Sequence, residues 1–453
     1  MGSNQHAWAD LPSQLKNAVP KFNNLLLKDP QFQAFANTPD IKSPITFGIK
    51  AAGSDNAVLV TLKHKSGVAE TGSHKKAVFT LSALPEQWQE FFKPVPEMPY
   101  QSYWGMFGMN IKQDGIEILG DQLAFNKYTH FWRRALEVLH DSQCGPMKED
   151  SQPQTDEDHI VGKYLYTRTP VWGRCKFFCE CSGKGEQQIV FLHTAGSDSR
   201  QYHGFMNNPT MRQKCSMIIF DLPGHGRSFP SELPPGAHTN TEDSYIGAIT
   251  AMLKALKLNK PIICGASMAG QVCLAVAIGA DEVGAGGTIP LQCSDYLNME
   301  RQFHDRSPHV NQSLYNPEWI CGVSASNLWS QTSRQKQMMC PTAPLENRQL
   351  IWHLYSAQAY GIFHGDLDFY FGGWNGRSRV GNIDTKKCPI FMLTGKYDWS
   401  NTQAMAQATC DKIPGAKHKS MPQFGHFPAT ENPAKFVPHL LEAIDYIQET
   451  RKG

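Results

Sequence analysis

The chain has 453 residues, 41% of them hydrophobic and 19% charged, with a formal net charge of +2. That length predicts two domains rather than one, and the residue usage is that of an ordinary globular protein. Lys and Arg are scattered without a basic run, which argues against nucleic acid or an anionic membrane surface as a partner; no apolar run approaches the roughly 20 residues of a membrane span, so no stable membrane anchor is expected.

The N-terminus, Met1 to Trp8, is polar and lacks the apolar core of a secretory signal. The 12 cysteines follow no disulfide framework. Several (Cys179, Cys181, Cys264, Cys293) lie in apolar strand-like runs, where cysteine behaves as a small hydrophobe. They read as free thiols in a reducing, cytoplasmic compartment.

Residues 1–40 carry Leu11, Leu15, Val19, Phe22, Leu25 and Leu26 at roughly helical spacing. Three strand-like runs follow, 45–49, 57–62 and 77–81, separated by turn residues that predict an antiparallel meander. A helix is expected over 85–92, an aromatic and methionine cluster at 100–109 (including Trp104), a strand over 116–121 and a helix over 123–139. Residues 141–158 are polar, contain proline and show no apolar period, which predicts a linker between a first domain, 1–140, and a second, 159–453.

The grammar then changes. Paired strands at 163–167 and 175–181 precede apolar runs at 188–192, 217–220, 262–264, 286–293 and 390–393. Helical stretches lie between them (202–212, 245–256, the run after Ser267, 402–412, 434–449). Strands alternating with helices predict an α/β, doubly wound, mostly parallel sheet.

Four motifs sit at the strand ends. The central one is Gly265-Ala266-Ser267-Met268-Ala269-Gly270, a serine on a tight strand-to-helix turn with small residues around it, as a G-x-S-x-G elbow requires. Upstream are His193-Thr194-Ala195-Gly196 and Asp221-Leu222-Pro223-Gly224-His225-Gly226-Arg227-Ser228. Downstream, Asp398 follows the strand 390–393, and His426 lies in Phe424-Gly425-His426-Phe427, past the last short strand. The order Ser, acid, His is that of a nucleophile, an orienting carboxylate and a general base. Ser267, Asp398 and His426 are therefore the candidate catalytic residues, with Asp295 after strand 286–293 as an alternative acid. The main-chain N–H groups of Met268 and Ala195 are the candidate oxyanion donors. His193 and His225 read as turn residues. No metal-ligand spacing, phosphate loop or dinucleotide fingerprint occurs, since Gly284-Ala285-Gly286-Gly287 precedes a strand rather than following one; no metal or cofactor is expected.

With these motifs in that order, residues 159–453 resemble the α/β-hydrolase superfamily. The resemblance implies a lid at about 296–387. That segment is rich in aromatics (Tyr315, Trp319, Trp329, Trp352, Tyr355, Tyr360, Phe363, Phe369, Tyr370, Phe371, Trp374), which suits a substrate with a sizeable apolar part. Thr194, Trp104 and Trp329 are candidate substrate contacts. The small sheet ending in Gly120-Asp121 and its following helix look like the sterol-carrier-protein-type α+β fold. The joined architecture is similar to that of fungal hydrolases of the vibralactone-cyclase group. It implies an acyl-enzyme formed on an ester or lactone and resolved by water or by ring closure to a β-lactone. The same triad also serves C–C bond hydrolases, and a hydrolase fold can become a ligand-binding receptor. The polar linker permits exchange between subunits and hence a homodimer.

Overall fold

The structure is a computed structural model and describes residues 11–37, 43–64, 66–101, 106, 114–153, 156–233, 240–297, 338–356 and 362–452. The described residues form two compact units, one ending at Glu149 and the other beginning at Asp150.

The first unit holds a five-stranded sheet with helices. Its strands are β1 (Ile45–Ala51), β2 (Asn56–Lys63), β3 (Ser66–Ser73), β4 (Phe79–Ala83) and β5 (Glu117–Gly120), in the order β3-β2-β1-β4-β5. The predicted meander is corrected here. The third apolar run, β4, pairs parallel with β1, with Phe47 opposite Phe79. The strand that continues β2 antiparallel is β3, whose Ser-Gly-Val-Ala-Glu-Thr-Gly-Ser sequence has one buried alanine and a mostly open outer side. It is an edge strand, and its polar sequence reads as turn. The expected helix over 123–139 forms as two, Gln122–Lys127 and Thr129–Cys144. Arg134 fastens the latter to the N-terminal helices by bonding Asp29, and it also bonds Glu137 of its own helix at 2.8 Å.

The second unit begins within the predicted linker. Asp150 is tied to Thr342 by main-chain (2.8 Å) and hydroxyl (2.9 Å) bonds and to Lys435 by an ion pair at 2.8 Å. Its sheet comprises β6 (Val161–Thr169), β7 (Gly173–Ser182), β8 (Gln187–Leu192), β9 (Cys215–Phe220), β10 (Ile262–Ala266), β11 (Gly287–Leu291), β12 (Phe391–Gly395) and β13 (Lys417–Met421). The order is β13-β12-β11-β10-β8-β9-β7-β6. The β6–β7 hairpin joins antiparallel, and every pairing from β9 to β13 is parallel. This is the α/β-hydrolase arrangement.

The central strands read as unbroken apolar runs because helices cover both faces. On one face, Pro433–Thr450 lays Phe436, Leu440, Ala443, Ile444 and Ile447 onto Ile189, Ile262, Ile289 and Leu393. At roughly 1.5–3 kcal/mol per fully buried large side chain, this stripe is a main source of stability. The helix Met268–Ile278 is buried on all sides from Met268 to Ala277, which explains a sequence with no polar face beyond Gln271.

Among the described residues no helix is long and apolar enough to cross a membrane.

Candidate active site

The elbow follows from crowding. β10 runs parallel between β8 and β11, so the chain must leave the sheet abruptly at Ala266 to start the helix. Ser267 makes that turn at φ 62°, ψ −122°, a conformation L-residues avoid; holding it costs on the order of 1–3 kcal/mol. A Cβ at Gly265 would lie 2.7 Å from the Ala269 Cβ, and one at Gly270 would lie 2.5 Å from Leu291 O. The small residues are therefore a packing requirement of the turn. Alanine at 269 is tolerated because Gly265 has no side chain.

The carboxylate and the imidazole meet. His426 Nδ1 lies 2.7 Å from Asp398 Oδ2. Asp398 is fully buried, and its other oxygen accepts from Ser400 N (2.9 Å), Ser400 Oγ (2.8 Å) and Asn401 N (3.1 Å). With every lone pair directed, the ring must present Nδ1–H to the acid and leave Nε2 as the basic nitrogen. Asp295, the alternative acid, is engaged elsewhere, by Lys412 Nζ at 2.5 Å and Thr409 Oγ1 at 3.2 Å.

The loop that carries His426 is held by residues that sequence reasoning missed. Gln292, at the end of β11, donates to Gly425 O (2.6 Å) and accepts from Gly395 N (3.0 Å), clasping the acid strand to the histidine loop. Glu431 is buried and accepts from the N–H groups of Gly425, Phe427 and Cys340, each at 2.8–2.9 Å. Burial pushes its carboxyl up to about 7, against the pull of those donors. His426 N donates to Met338 O, and a Cβ at Gly425 would lie 2.0 Å from that same oxygen. A buried Glu three residues beyond a Gly-His-Phe-Pro turn is the signal that could have revealed the clasp.

On the other side of the nucleophile, the Ala195 N–H meets no acceptor among the described residues. The Met268 N–H lies in the first helical turn, where no intrahelical acceptor exists. Thr194, read as a substrate contact, turns inward: its N–H and hydroxyl reach Gln201 Oε1 (3.0 and 3.2 Å), and the hydroxyl also meets Tyr355 OH (3.0 Å). Gly196 N donates to Asp366 Oδ2 at 2.8 Å.

Asp366 is the hub of a buried network. It also accepts from His225 Nε2 (2.7 Å), Tyr245 OH (2.6 Å) and Asn240 Nδ2 (2.6 Å). His225 Nδ1 faces Pro223 O, so both ring nitrogens meet acceptors and the ring is cationic; Asp366 raises its pKa and His225 in turn lowers that of Asp366, each against burial. His193 is the opposite case. Leu222 N–H donates to its Nε2 at 3.0 Å, so Nδ1 bears the proton and donates to Thr194 O. Burial and the neighbouring His225 cation push its pKa down to about 4, and it stays neutral. The Asp221–Ser228 turn closes on itself through Asp221, which takes Ser199 N and Arg227 N, and through Ser228 Oγ donating to Asp221 O. Both histidines thus serve the turns.

Of the predicted aromatic lid, Tyr355, Phe363, Phe369, Tyr370, Phe371 and Trp374 are buried, and Trp374 Nε1 donates to Glu242 at 2.9 Å. Tyr370 OH lies 3.4 Å from Ser400 Oγ and accepts from Asn401 Nδ2. Trp104, Trp319, Trp329, Tyr315 and Tyr360 lie outside the described residues, and nothing bears on them as substrate contacts. No cluster of potential metal ligands occurs among the described residues.

The chain is similar to several known proteins. The chain is 30% identical over 110 residues to the dihydrolipoyllysine-residue acetyltransferase component of an acetoin cleaving system from Pseudomonas putida, an alignment spanning 28% of that protein and 24% of this one. Among solved structures, a thermophilic esterase from Thermogutta terrifontis superposes with a TM-score of 0.53 at 18% identity, over 63% of this chain and 99% of the esterase. The enol-lactonase from Burkholderia xenovorans LB400 superposes with a TM-score of 0.51 at 14% identity, over 62% of this chain and 100% of the lactonase. Those identities carry the fold alone. The profile of the Alpha/beta hydrolase family matches residues 189–439, which include the elbow, Asp398 and His426, and the chain belongs to that family.

Proposed function

We propose that the protein is a serine esterase or lactonase acting on an ester or lactone of a mid-sized, largely apolar small molecule. The observation that carries this reading is the strained Ser267 at a helix N-terminus in one unit with the 2.7 Å His426–Asp398 pair. Ser267 Oγ adds to the carbonyl carbon as His426 Nε2 takes its proton. The negative oxygen of the intermediate is held by the Met268 and Ala195 N–H groups, and His426 returns the proton to the leaving oxygen. Asp398, boxed in by Ser400 and Asn401, fixes the tautomer and stabilises the ring cation. The acyl group then passes from Oγ to water or to a hydroxyl or enolate of the substrate itself, closing a β-lactone. The esterase and enol-lactonase likenesses support an ester or lactone as substrate class.

The test is covalent labelling with a fluorophosphonate probe. The wild-type chain is expected to gain one adduct on Ser267, and Ser267→Ala none. An unlabelled wild-type protein, or equal labelling of the variant, overturns the reading. With a candidate lactone, product mass separates the two fates: a gain of one water marks hydrolysis, an unchanged mass at a new retention time marks cyclisation.

A further inference from the structure

The mechanism above leaves one buried carboxylate unused, and that carboxylate is bonded to the surroundings of both oxyanion donors. Asp366 lies in the helix Ile362–Asp368, on the excursion between β11 and β12, and is fully buried. Four donors converge on it. Oδ2 takes Gly196 N–H (2.8 Å) and His225 Nε2–H (2.7 Å), and Oδ1 takes Tyr245 OH (2.6 Å) and Asn240 Nδ2 (2.6 Å).

Gly196 is the third residue of a β-turn that Ser197 N–H closes onto Thr194 O at 3.1 Å, and its φ of 62° is the positive value of a type II turn. Glycine adopts either sign of φ at little cost, so the turn alone leaves the Ala195–Gly196 peptide free to rotate. Asp366 fixes it, because rotation would take the Gly196 N–H away and set the Ala195 carbonyl oxygen toward a carboxylate. The preceding peptide is fixed by its carbonyl, since Thr194 O accepts from His193 Nδ1 and Ser197 N. In a trans peptide the N–H points opposite to the C=O. Ala195 N–H, held between two pinned peptides, therefore keeps one direction and meets no acceptor of its own among the described residues. The other donor residue is reached through Tyr245. The single phenolic proton goes to the charged acceptor, and the phenolic oxygen lies 2.9 Å from Met268 Sδ.

We propose that Asp366 is a positioning residue for the oxyanion hole, aiming the Ala195 N–H through Gly196 and seating Met268 through Tyr245. This role is distinct from that of counter-ion to His225. The charge stabilises the buried imidazolium, whereas the Oδ2 lone pair directed at Gly196 sets the hole. Negative charge reaches the carbonyl oxygen only as the tetrahedral intermediate forms, so a misaimed donor weakens transition-state binding and leaves substrate binding alone. The proposal rests on the serine-esterase reading above.

The experiment uses the full chain and a p-nitrophenyl ester, with rates expressed per active site titrated by fluorophosphonate, so that unfolded molecules do not count. A trifluoromethyl ketone, which adds to Ser267 and places an oxyanion in the hole, is compared with the matching carbinol, which cannot add. Asp366→Ala should lower kcat/KM about 10- to 100-fold, less than outright removal of an oxyanion donor. The Ki of the ketone should rise by the same factor, and that of the carbinol should stay within about twofold. The double variant His225→Leu, Asp366→Leu removes both charges together, which spares the fold an unpaired buried ion, and should show the same loss. Asp366→Asn keeps an oxygen for Gly196 and presents its amide to Asn240, whose Oδ1 has no partner among the described residues. It should rescue the alanine variant, restoring kcat/KM to within about threefold of wild type whatever its stability. Kinetics within about threefold of wild type in Asp366→Ala or in the double variant overturn the inference. Equal weakening of ketone and carbinol, or an asparagine variant as slow as the alanine one, overturns it too. A wild-type protein that takes up neither fluorophosphonate nor ketone instead overturns the serine reading and this inference with it.

Discussion

The two halves of the candidate site are built on different terms. Ser267, Asp398 and His426 stand at the ends of β10, β12 and β13, where the backbone itself demands the residues around them. Gly265 and Gly270 are required by contacts of 2.5–2.7 Å, and Gly395 by carbonyls 2.4 Å from where its Cβ would stand. Tyr355, Asp366 and Tyr370 come from the excursion between β11 and β12 and reach the loops around these residues through side chains alone. A strand end fixes its residue by backbone sterics, against its own turn or the strand and loop beside it. The excursion fixes its residues because polar groups buried far from them in sequence need partners. The first kind leaves a motif, and the second leaves a tyrosine or an aspartate that looks like any other.

That contrast can be broken by substitution. The largest effect falls on the sheet-borne half: Asp398→Asn should lower kcat on a p-nitrophenyl ester on the order of 10³–10⁴-fold, because a neutral amide no longer selects the Nδ1–H tautomer of His426 or stabilises its cation. The thermal transition should stay close to wild type, and a fall in activity under tenfold would contradict the assignment. On the excursion, Asp366→Asn should act on stability first. It leaves the His225 cation buried without its anion, at a cost of about 3–5 kcal/mol in chemical denaturation. Loss of activity without loss of stability would place Asp366 in the chemistry instead.

Glu431 sharpens the comparison, since it is a strand-end clasp with a titration of its own. Its folded pKa of about 7 lies above the ordinary carboxylate value. The folded state therefore binds the proton more tightly, and stability contributed by the neutral form is lost as pH rises through about 7. Across pH 5 to 8 this amounts to about 3 kcal/mol. Glu431→Gln should flatten that slope in denaturant titrations at several pH values, and an equally steep slope in the variant would assign it to another group. The smallest effect is expected for Tyr355→Phe, which removes one hydrogen bond to Thr194 and should cost about 1 kcal/mol. Activity should change less than threefold because Gln201 still holds the Thr194 N–H and hydroxyl.

How much could be read beforehand follows the same division. Residues 262–270, 193–196, 221–228, 398 and 424–427 were legible, since each answers a turn or strand-end need that shows as Gly, Asp or His at fixed spacing. The parallel sheet was legible as apolar runs alternating with helical stretches. In the N-terminal unit, the polar edge strand β3 and the parallel partner of β1 were not, because pairing is chosen by which edges meet. Asp150, in a stretch read as linker, turned out anchored to Thr342 and Lys435 for the same reason.

What the sequence by itself determined is the hydrolase sheet and the presence of a serine, a histidine and two candidate acids near its strand ends, because turns and strand ends there restrict the residues around them. Which carboxylate faces His426 and which of His193 and His225 is charged were decided by tertiary structure. Each depends on donors and acceptors that folding brings together from more than a hundred residues away or less than thirty, with no period in the chain to announce them.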